Sequence, residues 1–529
     1  LFFLMIRRPP RSTLFPYTTL FRSFAAINVG SNEISMKICE ITPRKGAREL
    51  DTVKTIIELG SDTYNKGYIE ENNLNKLCDT LIKFRRKMKE YDVSDYRAYA
   101  SSAVREAENA SMIIERIKMC TDFDVQILSN SEQRFMNYKA FVATGMDVDV
   151  ATHKNNALLD IGAGSLQISI FDRRNLVQTQ NLPIGAVRIR DYLTRFGSDT
   201  VDLETLMEEY ASNAIIEFRN LFLNDKDIKS IIAIGDGINN LKKVGPELSI
   251  ANSISREQFR ILYKRVVDIK PEDLAERYGI PYERATLMLP MAIIYQSFLD
   301  NSRAEEILTP NVIFCDGIIA DYMDKQGTFL MDKNFDQDIL ASVNTIAKKY
   351  KVNRAHVQNV SDNALAIFDS IRKLHGLGKR ERLQLQIAAI LHNCGKFVNM
   401  KDVSLISYHI VMATEILGLS HKEREEIANA VYYNGFYLPS ELRASGRIGS
   451  ADYMKVAKLT AILRLADVLD KSYKQKITNL RISLHDNTLV IYTDTLEDIT
   501  LEAGMFKTNN ILFEKVYGVK VVLKQRRGI

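Results

Sequence analysis

At 529 residues the chain is too long for one hydrophobic core, and about three or four domains of ordinary size are expected. With 46% hydrophobic and 26% charged residues it reads as globular, and no charge-free apolar run approaches the ~20 residues of a membrane span, which argues against a helical membrane protein. The formal charge of +5 falls by four, to +1, once Arg7, Arg8, Arg11 and Arg22 are set aside, so a basic nucleic-acid-binding reading is not supported and no specific nucleic-acid partner is expected.

Those arginines belong to the first 23 residues, LFFLMIRRPPRSTLFPYTTLFRS, which place the apolar stretch before the charges, the reverse of a secretory signal. The segment 1–23 resembles the translation of a sequencing adapter and is excluded from the fold expectation.

Three segments then repeat one design. INVGSNEISMKI (27–38), LDIGAGSLQISI (159–170) and IIAIGDGINNL (231–241) each run from an apolar strand into a glycine turn, and the first two re-enter a second alternating strand. A glycine at such a turn lets backbone N–H groups converge on an anion, and Ser31, Asn32 and Ser165 add short donors. Each loop alone reads equally as a connecting hairpin. Together they point to two related α/β lobes whose turns face one cleft, with Gly30, Ser31, Asn32, Gly162, Gly164, Ser165 and Gly235 as candidate phosphate-binding residues.

Between the first two loops the pattern predicts a helix over 74–91, a strand ending at Ser101 and Ser102, a short helix AVREAENASMIIERI, and a strand VQILSN leading into a helix from Glu132. From about 332 the period becomes helical: DNALAIFDSIRKLHGL, LQLQIAAILHNCG, YHIVMATEILGL, KEREEIANAVYY and KVAKLTAILRLADVLDKSY all place apolar residues at i, i+3 and i+4. The last ~50 residues return to strands around one helix. Cys39, Cys78, Cys120, Cys315 and Cys394 form no C-x-x-C pair, which suits a reducing cytoplasm better than a disulfide framework or a zinc site. Basic runs at 85–89 (RRKMK) and 378–382 (GKRER) read first as solvated helix faces and second as a path for a polyanion.

The collinear segments AAINVGSN, YASSAVREAENA, ILSNSEQRF, LLDIGAGSLQISIF, LPIGAVRIRD, IAIGDGINNL and CDGIIADYM resemble the exopolyphosphatases and guanosine pentaphosphate phosphohydrolases, the Ppx/GppA family. The resemblance implies an α/β fold of two actin-like (sugar-kinase-like, ribonuclease-H-like) lobes over 24–150 and 151–330, an all-α HD-like domain over 331–480, and a small C-terminal α/β cap over 481–529. It implies a cytoplasmic phosphohydrolase that removes terminal phosphate from polyphosphate or a guanosine pentaphosphate with Mg²⁺, and a homodimer paired through the C-terminal domains. It also places Ser101 and Arg105 in a phosphate-contacting segment. An HD-like metal motif would fall on His356, His392, Asn393 and Asp467, with His409 nearby, while His375 and His421 read as surface or helix-end residues.

The chain departs from the family in one direction. Asn28 stands where the first loop has Asp, Gln133 where the catalytic Glu is expected, Gln167 where the second loop ends in Glu, and Asn393 where His-Asp is expected. An amide keeps the shape of the acid but neither anchors Mg²⁺ by charge nor takes a proton from water. Asp160, ending an apolar strand, is the remaining candidate to hold a metal or serve catalysis. Glu132 is a weaker candidate base, because one helical position turns it about 100° away from Gln133. Two readings stand: an impaired phosphohydrolase, and an inactive relative that senses polyphosphate, a guanosine tetra- or pentaphosphate, or ATP.

Overall fold

The computed structural model describes residues 22–42, 46–146, 155–172, 175–193, 203–223, 227–248, 252–327, 333–440 and 452–526. Of the excluded N-terminal segment, residues 1–21 lie outside the described residues, whereas Arg22 and Ser23 open strand β1 (Arg22–Val29) and pair with Ile41 and Glu40. The first ladder therefore reaches two residues further back than expected.

Strands β1, β2 (Glu33–Thr42), β3 (Gly46–Ile56), β4 (Asp95–Ala100) and β5 (Val125–Ile127) form a sheet of order β3-β2-β1-β4-β5. The first three are antiparallel and β4 and β5 run parallel to β1 and to each other. β1 is apolar at consecutive positions because both faces of the sheet are covered. Ala25 and Ile27 pack with Leu77, Leu81 and Phe84 of the helix Glu71–Glu90, while Phe24 and Ala26 pack with Ile318 and Tyr322 of the helix Phe314–Gln326.

That last helix corrects the expected domain boundary. It lies within 151–330 in sequence but packs on the first lobe, with the Tyr322 ring stacked on Phe24 at 4.1 Å and Asp321 paired with Lys139 at 2.9 Å. The expected helix after Ser102 is also two helices, Ser102–Glu106 and Ala110–Thr121.

The second lobe repeats the plan. β6 (Asn156–Ile161), β7 (Leu166–Asp172) and β8 (Asn175–Leu182) are antiparallel neighbours, and β9 (Ser230–Ile234), β10 (Ser253–Ser255) and β11 (Glu306–Leu308) extend the sheet in the order β10-β11-β9-β6-β7-β8. β9 is parallel to β6, as β4 is to β1.

Beyond residue 333 helices dominate, including Phe335–Lys349, Arg354–Ser370, Lys379–Leu391, Val403–Ala413, His421–Gly435 and Tyr453–Val468. A sheet β12-β13-β14 (Arg481–His485, Thr488–Thr493, Lys520–Gln525) closes the chain. This cap is not a separate unit: Leu489, Ile491, Phe513 and Val521 share one continuous core with Ile339, Val360, Ile390 and Leu463. The helix expected over YHIVMATEILGL stops at Ala413, and the following loop docks on the first lobe. There Arg134 donates to Glu415 at 2.6 Å and the Ser131 hydroxyl to the Leu419 carbonyl at 2.7 Å. No described helix is long and apolar enough to cross a membrane.

Candidate functional site

The cleft between the lobes is lined by Asn28, Gly30, Ser31, Asn32 and Ser101 from one side and by Asp160, Gly162, Ser165, Gln167 and Gly235 from the other. Gln133 and Asn137 enter it from the helix Asn130–Ala143. The sheet plan explains this convergence. β1–β2 and β6–β7 are equivalent hairpins, so their turns emerge at equivalent ends of the two sheets.

The first turn is tight. Gly30 N–H donates to the Glu33 carbonyl at 3.1 Å, and a Cβ at Gly30 would stand 2.5 Å from that oxygen. The Ser31 hydroxyl is 2.9 Å from that of Ser102 and accepts from the Ala103 N–H at 3.0 Å, which ties the loop to the helix behind Ser101. Gly235 has φ of +93°, which favours glycine, and it brings the third turn against Asp160.

The amides occupy the cleft in a distinctive way. The side-chain oxygens of Asn28, Asn32, Gln133 and Gln167 are all buried and have no hydrogen-bond partner. Asp160 accepts from Asn137 at 2.6 Å; burial pushes its carboxyl up to about 6, the Asp236 charge adds to this, and the Asn137 bond opposes it. Asp160 thus takes up a proton in the range where most aspartates are ionised.

Several expected site residues lie elsewhere. Arg105 does not line the cleft: it donates to the Leu128 carbonyl at 2.6 Å and to Asn130, fastening the corner between β5 and the next helix. The Glu132 carboxylate accepts from the Ser129 N–H and hydroxyl as half of a capping box, so it does not face the cleft. Gly164 backs onto Tyr64 instead of the cleft space. Neither basic run reaches the cleft: Arg85 and Lys87 pair with Asp122 and Asp51, and Arg380 and Arg382 with Glu423 and Asp369.

Other residues of the site were not singled out in the sequence. Glu33, Asp236, Asn240 and Arg284 line the cleft, and Tyr64 bridges Ser31 and Ser102 beside it. Gly185 was legible only as part of LPIGAVRIRD; a Cβ there would overlap the Ala163 carbonyl and the Ser165 nitrogen, so only glycine lets that segment support the second loop.

A second cluster sits in the helical domain. Atoms of His356, His392 and Asp467 that could ligate a metal lie within 4.8 Å of one another. His392 Nδ1 donates to the Ala389 carbonyl at 2.7 Å and His356 Nδ1 to Asp470 at 2.8 Å. Both Nε2 atoms are thereby aimed at Asp467, at 3.3 and 3.5 Å, and that of His356 is buried without a hydrogen-bond partner. Burial disfavours the charge on His356, but the facing carboxylates of Asp467 and Asp470 outweigh it and raise the pKa. Burial likewise opposes ionisation of Asp467, yet the two imidazoles hold its carboxyl well below the usual range. Asn393 spends its amide N–H on the Tyr473 hydroxyl at 2.9 Å. His409 is exposed and outside the cluster; His375, expected at the surface or a helix end, ends a helix and is fully buried there, and His421 is exposed at a helix start.

The Ppx/GppA phosphatase family matches this chain over residues 39–326, and the domain III model of that family over residues 340–512. The chain belongs to the Ppx/GppA phosphatase family. This member is 19% identical over 450 residues to a guanosine-5'-triphosphate,3'-diphosphate pyrophosphatase of Aeromonas hydrophila, covering 84% of the chain and 87% of that protein. It is 24% identical over 174 residues to a bifunctional 3-dehydroquinate synthase/phosphatase of Fusobacterium nucleatum, and 26% identical over 168 residues to exopolyphosphatase 1 of Mycobacterium tuberculosis. Each match covers 32% of the chain, and the chain spans only 26% and 48% of those two proteins. Among solved structures an exopolyphosphatase from Cytophaga hutchinsonii has the same fold over 58% of this chain and 98% of its own, with a TM-score of 0.51 at 21% identity. The two-lobed Ppx/GppA architecture and its helical third domain are therefore present here.

Proposed function

We propose that the cleft receives the terminal phosphates of a condensed phosphate chain, polyphosphate or a guanosine pentaphosphate, and that this family member binds such ligands far better than it cleaves them. The observation that carries the proposal is Gln133. Where the resemblance places a catalytic acid, it puts an amide whose buried oxygen has no partner in the cleft.

The surrounding chemistry agrees. A water attacking a terminal phosphate needs a base, and Gln133, Asn28 and Gln167 cannot accept its proton. Of the three acids lining the cleft, Glu33 and Asp236 are held in ion pairs with Arg284 and Lys54, and Asp160 is engaged by the Asn137 amide. Loss of a general base costs about 10²–10⁴ in rate, so turnover falls while the loops keep their shape. Mg²⁺ fits the oxygen set left over: the Asp160 carboxylate with the neutral oxygens of Asn28 and Gln167 would hold it, and when bound it supplies charge screening of the phosphates.

The test is phosphate release from long-chain polyphosphate and from guanosine pentaphosphate, with Mg²⁺ or Mn²⁺, beside a Gln133→Glu variant. The expected result is release at least about 10²-fold faster in the variant, with ligand binding in both. Full turnover by the unmodified chain would overturn the assignment of Gln133.

A second reading is favoured by the helical-domain cluster. Two imidazoles fixed in one tautomer and aimed at a common carboxylate form a donor set suited to a borderline divalent metal such as Zn²⁺ or Mn²⁺. His356, His392 and Asp467 would hold that ion.

A further inference from the structure

The cleft proposed to receive a polyanion is electrostatically hostile to one. Among its described lining residues, Glu33, Asp160 and Asp236 are acids and Arg284 is the one cation. That cation is already engaged. Glu33, the first residue of β2 and the next after the Gly30-Ser31-Asn32 turn, takes the Arg284 guanidinium from the helix Tyr282–Ala285 of the other lobe. Lys54 of β3 stands 3.6 Å from the same carboxylate and 2.5 Å from Asp236, again across the cleft. The Glu33 and Arg284 side chains are 14% and 18% exposed, so water screens their attraction only in part.

We propose that Glu33 is a built-in competitor for the phosphate ligand, its carboxylate occupying on Arg284 the place that a terminal phosphate would take. The proposal rests on the reading of the cleft as a phosphate receiver. A guanidinium offers its forked donors to a carboxylate or to a phosphate with nearly the same geometry. An incoming phosphate therefore exchanges partners with Arg284 instead of gaining a free cation, and the displaced Glu33 leaves a negative charge beside it. Because the pair spans the lobes, the exchange also releases one of the contacts that hold the cleft in its present form. The position of Glu33 makes this unavoidable: a hairpin turn that delivers Ser31 and Asn32 to the cleft delivers the next side chain to its rim.

The test is calorimetric titration of the full chain with inorganic tripolyphosphate, with and without Mg²⁺, for the unmodified protein, Glu33→Gln, Arg284→Gln and the double variant. Glu33→Gln is expected to bind at least about tenfold tighter than the unmodified chain, and that gain is expected to vanish in the Arg284→Gln background. Glu33→Asp, which keeps the charge but shortens the arm, is expected to fall between and serves if Glu33→Gln is poorly folded. A gain that persists without Arg284 is a general charge effect and overturns the competition. Equal or weaker binding by Glu33→Gln, with the unmodified chain still binding, overturns it while the cleft reading stands. Binding by neither protein removes the cleft reading and the proposal together.

Discussion

The Glu132 carboxylate accepts hydrogen bonds from the Ser129 N–H at 2.9 Å and the Ser129 hydroxyl at 2.7 Å, closing the start of the helix that carries Gln133 into the cleft. Neighbours in sequence thus have separate tasks: Glu132 builds the helix and Gln133 faces the cleft. Glu132→Ala is expected to cost about 1 kcal/mol of stability through the lost cap. Placed in the Gln133→Glu background, it is expected to leave phosphate release unchanged once protein folding is matched. Loss of that release with Glu132→Ala would show that Glu132 reaches the substrate after all.

Tyr64 and Gly164 form the seam beside the two glycine turns of the cleft. The Tyr64 hydroxyl donates to Ser31 at 3.1 Å and lies 2.9 Å from the Ser102 hydroxyl, while Arg188 covers its ring at 4.4 Å and donates to the Gly164 carbonyl at 2.8 Å. A methyl group on Gly164 would overlap the Tyr64 ring and hydroxyl. Gly164→Ala is therefore expected to lose roughly 1–3 kcal/mol by overpacking and to weaken tripolyphosphate binding by releasing Ser31. In a Tyr64→Ala background the same substitution should cost much less, and denaturant unfolding of the four proteins measures this. Strict additivity of the two changes would rule the contact out as the cause.

These cases mark what was legible in the sequence. The glycine turns, the serines beside them and the amides at positions 28, 133 and 167 are local features, written in strand alternation and turn chemistry, and all of them but Gly164 line the cleft. Arg284, Tyr64 and Asn137 lie on helices, and nothing in their neighbourhood sets them apart from surface residues. They become site residues only when the lobes pack, so their roles depend on contacts far apart in sequence. Arg105 fails for the opposite reason. A motif placed it in the phosphate segment, but the short helix turns it toward Leu128 and Asn130. The helix Phe314–Gln326 likewise follows the second lobe in sequence yet covers the first, because Phe24 and Ala26 require an apolar partner on that face.

The third domain is anchored by a buried charge. Arg134 is 2% exposed, its Nε and Nη1 have no hydrogen-bond partner, and its Nη2 donates to Glu415 at 2.6 Å. Burial would raise the Glu415 carboxyl, but Arg134 and Asn130 hold it below the usual range. Glu415→Ala leaves a buried guanidinium uncompensated and is expected to cost roughly 3–5 kcal/mol. Because the folded-state pKa is depressed, the contribution of the pair is present above the unfolded value and is lost as pH falls through the folded one. Urea unfolding at pH 7 checks the magnitude, and a loss under about 1 kcal/mol would show that the docking does not depend on this pair.

His375 supplies a pH dependence of its own sign. Its Nε2–H donates to the Phe368 carbonyl at 2.9 Å and its Nδ1 accepts from the Leu377 N–H at 2.8 Å, an arrangement that requires the neutral ring. Burial lowers its pKa, the Phe368 carbonyl opposes this, and the charge of Lys458 adds to it. Below about 6.5 the unfolded chain therefore takes a proton that the folded chain refuses, and stability falls as pH drops toward the folded-state value. His375→Gln is expected to be less stable by about 1–2 kcal/mol at pH 7.5, and the gap should narrow at pH 5.5. A gap that widens on acidification would contradict the assigned tautomer.

The helical-domain cluster makes the last prediction, because its geometry has two explanations. Without an ion, His356 and His392 compensate a half-buried Asp467, helped by Lys471 at 3.6 Å and by Asn434 at 3.5 Å. With an ion, the two Nε2 atoms and the carboxylate are ligands, and the Ala389 carbonyl and Asp470 are the groups that orient them. The explanations differ in what removing His392 does. A purely internal ion pair predicts that His392→Ala destabilises the protein equally whether or not metal is added. A metal site predicts about one equivalent of Mn²⁺ or Zn²⁺ bound by the unmodified chain, with about 2.7 kcal/mol of added stability at a hundredfold excess over Kd, and neither in His392→Ala. Elemental analysis and thermal unfolding with added metal decide between them. The 3.5 Å between His356 Nε2 and Asp467, against 2.8 Å between its Nδ1 and Asp470, favours the metal, since an internal ion pair alone would draw that nitrogen into a hydrogen bond.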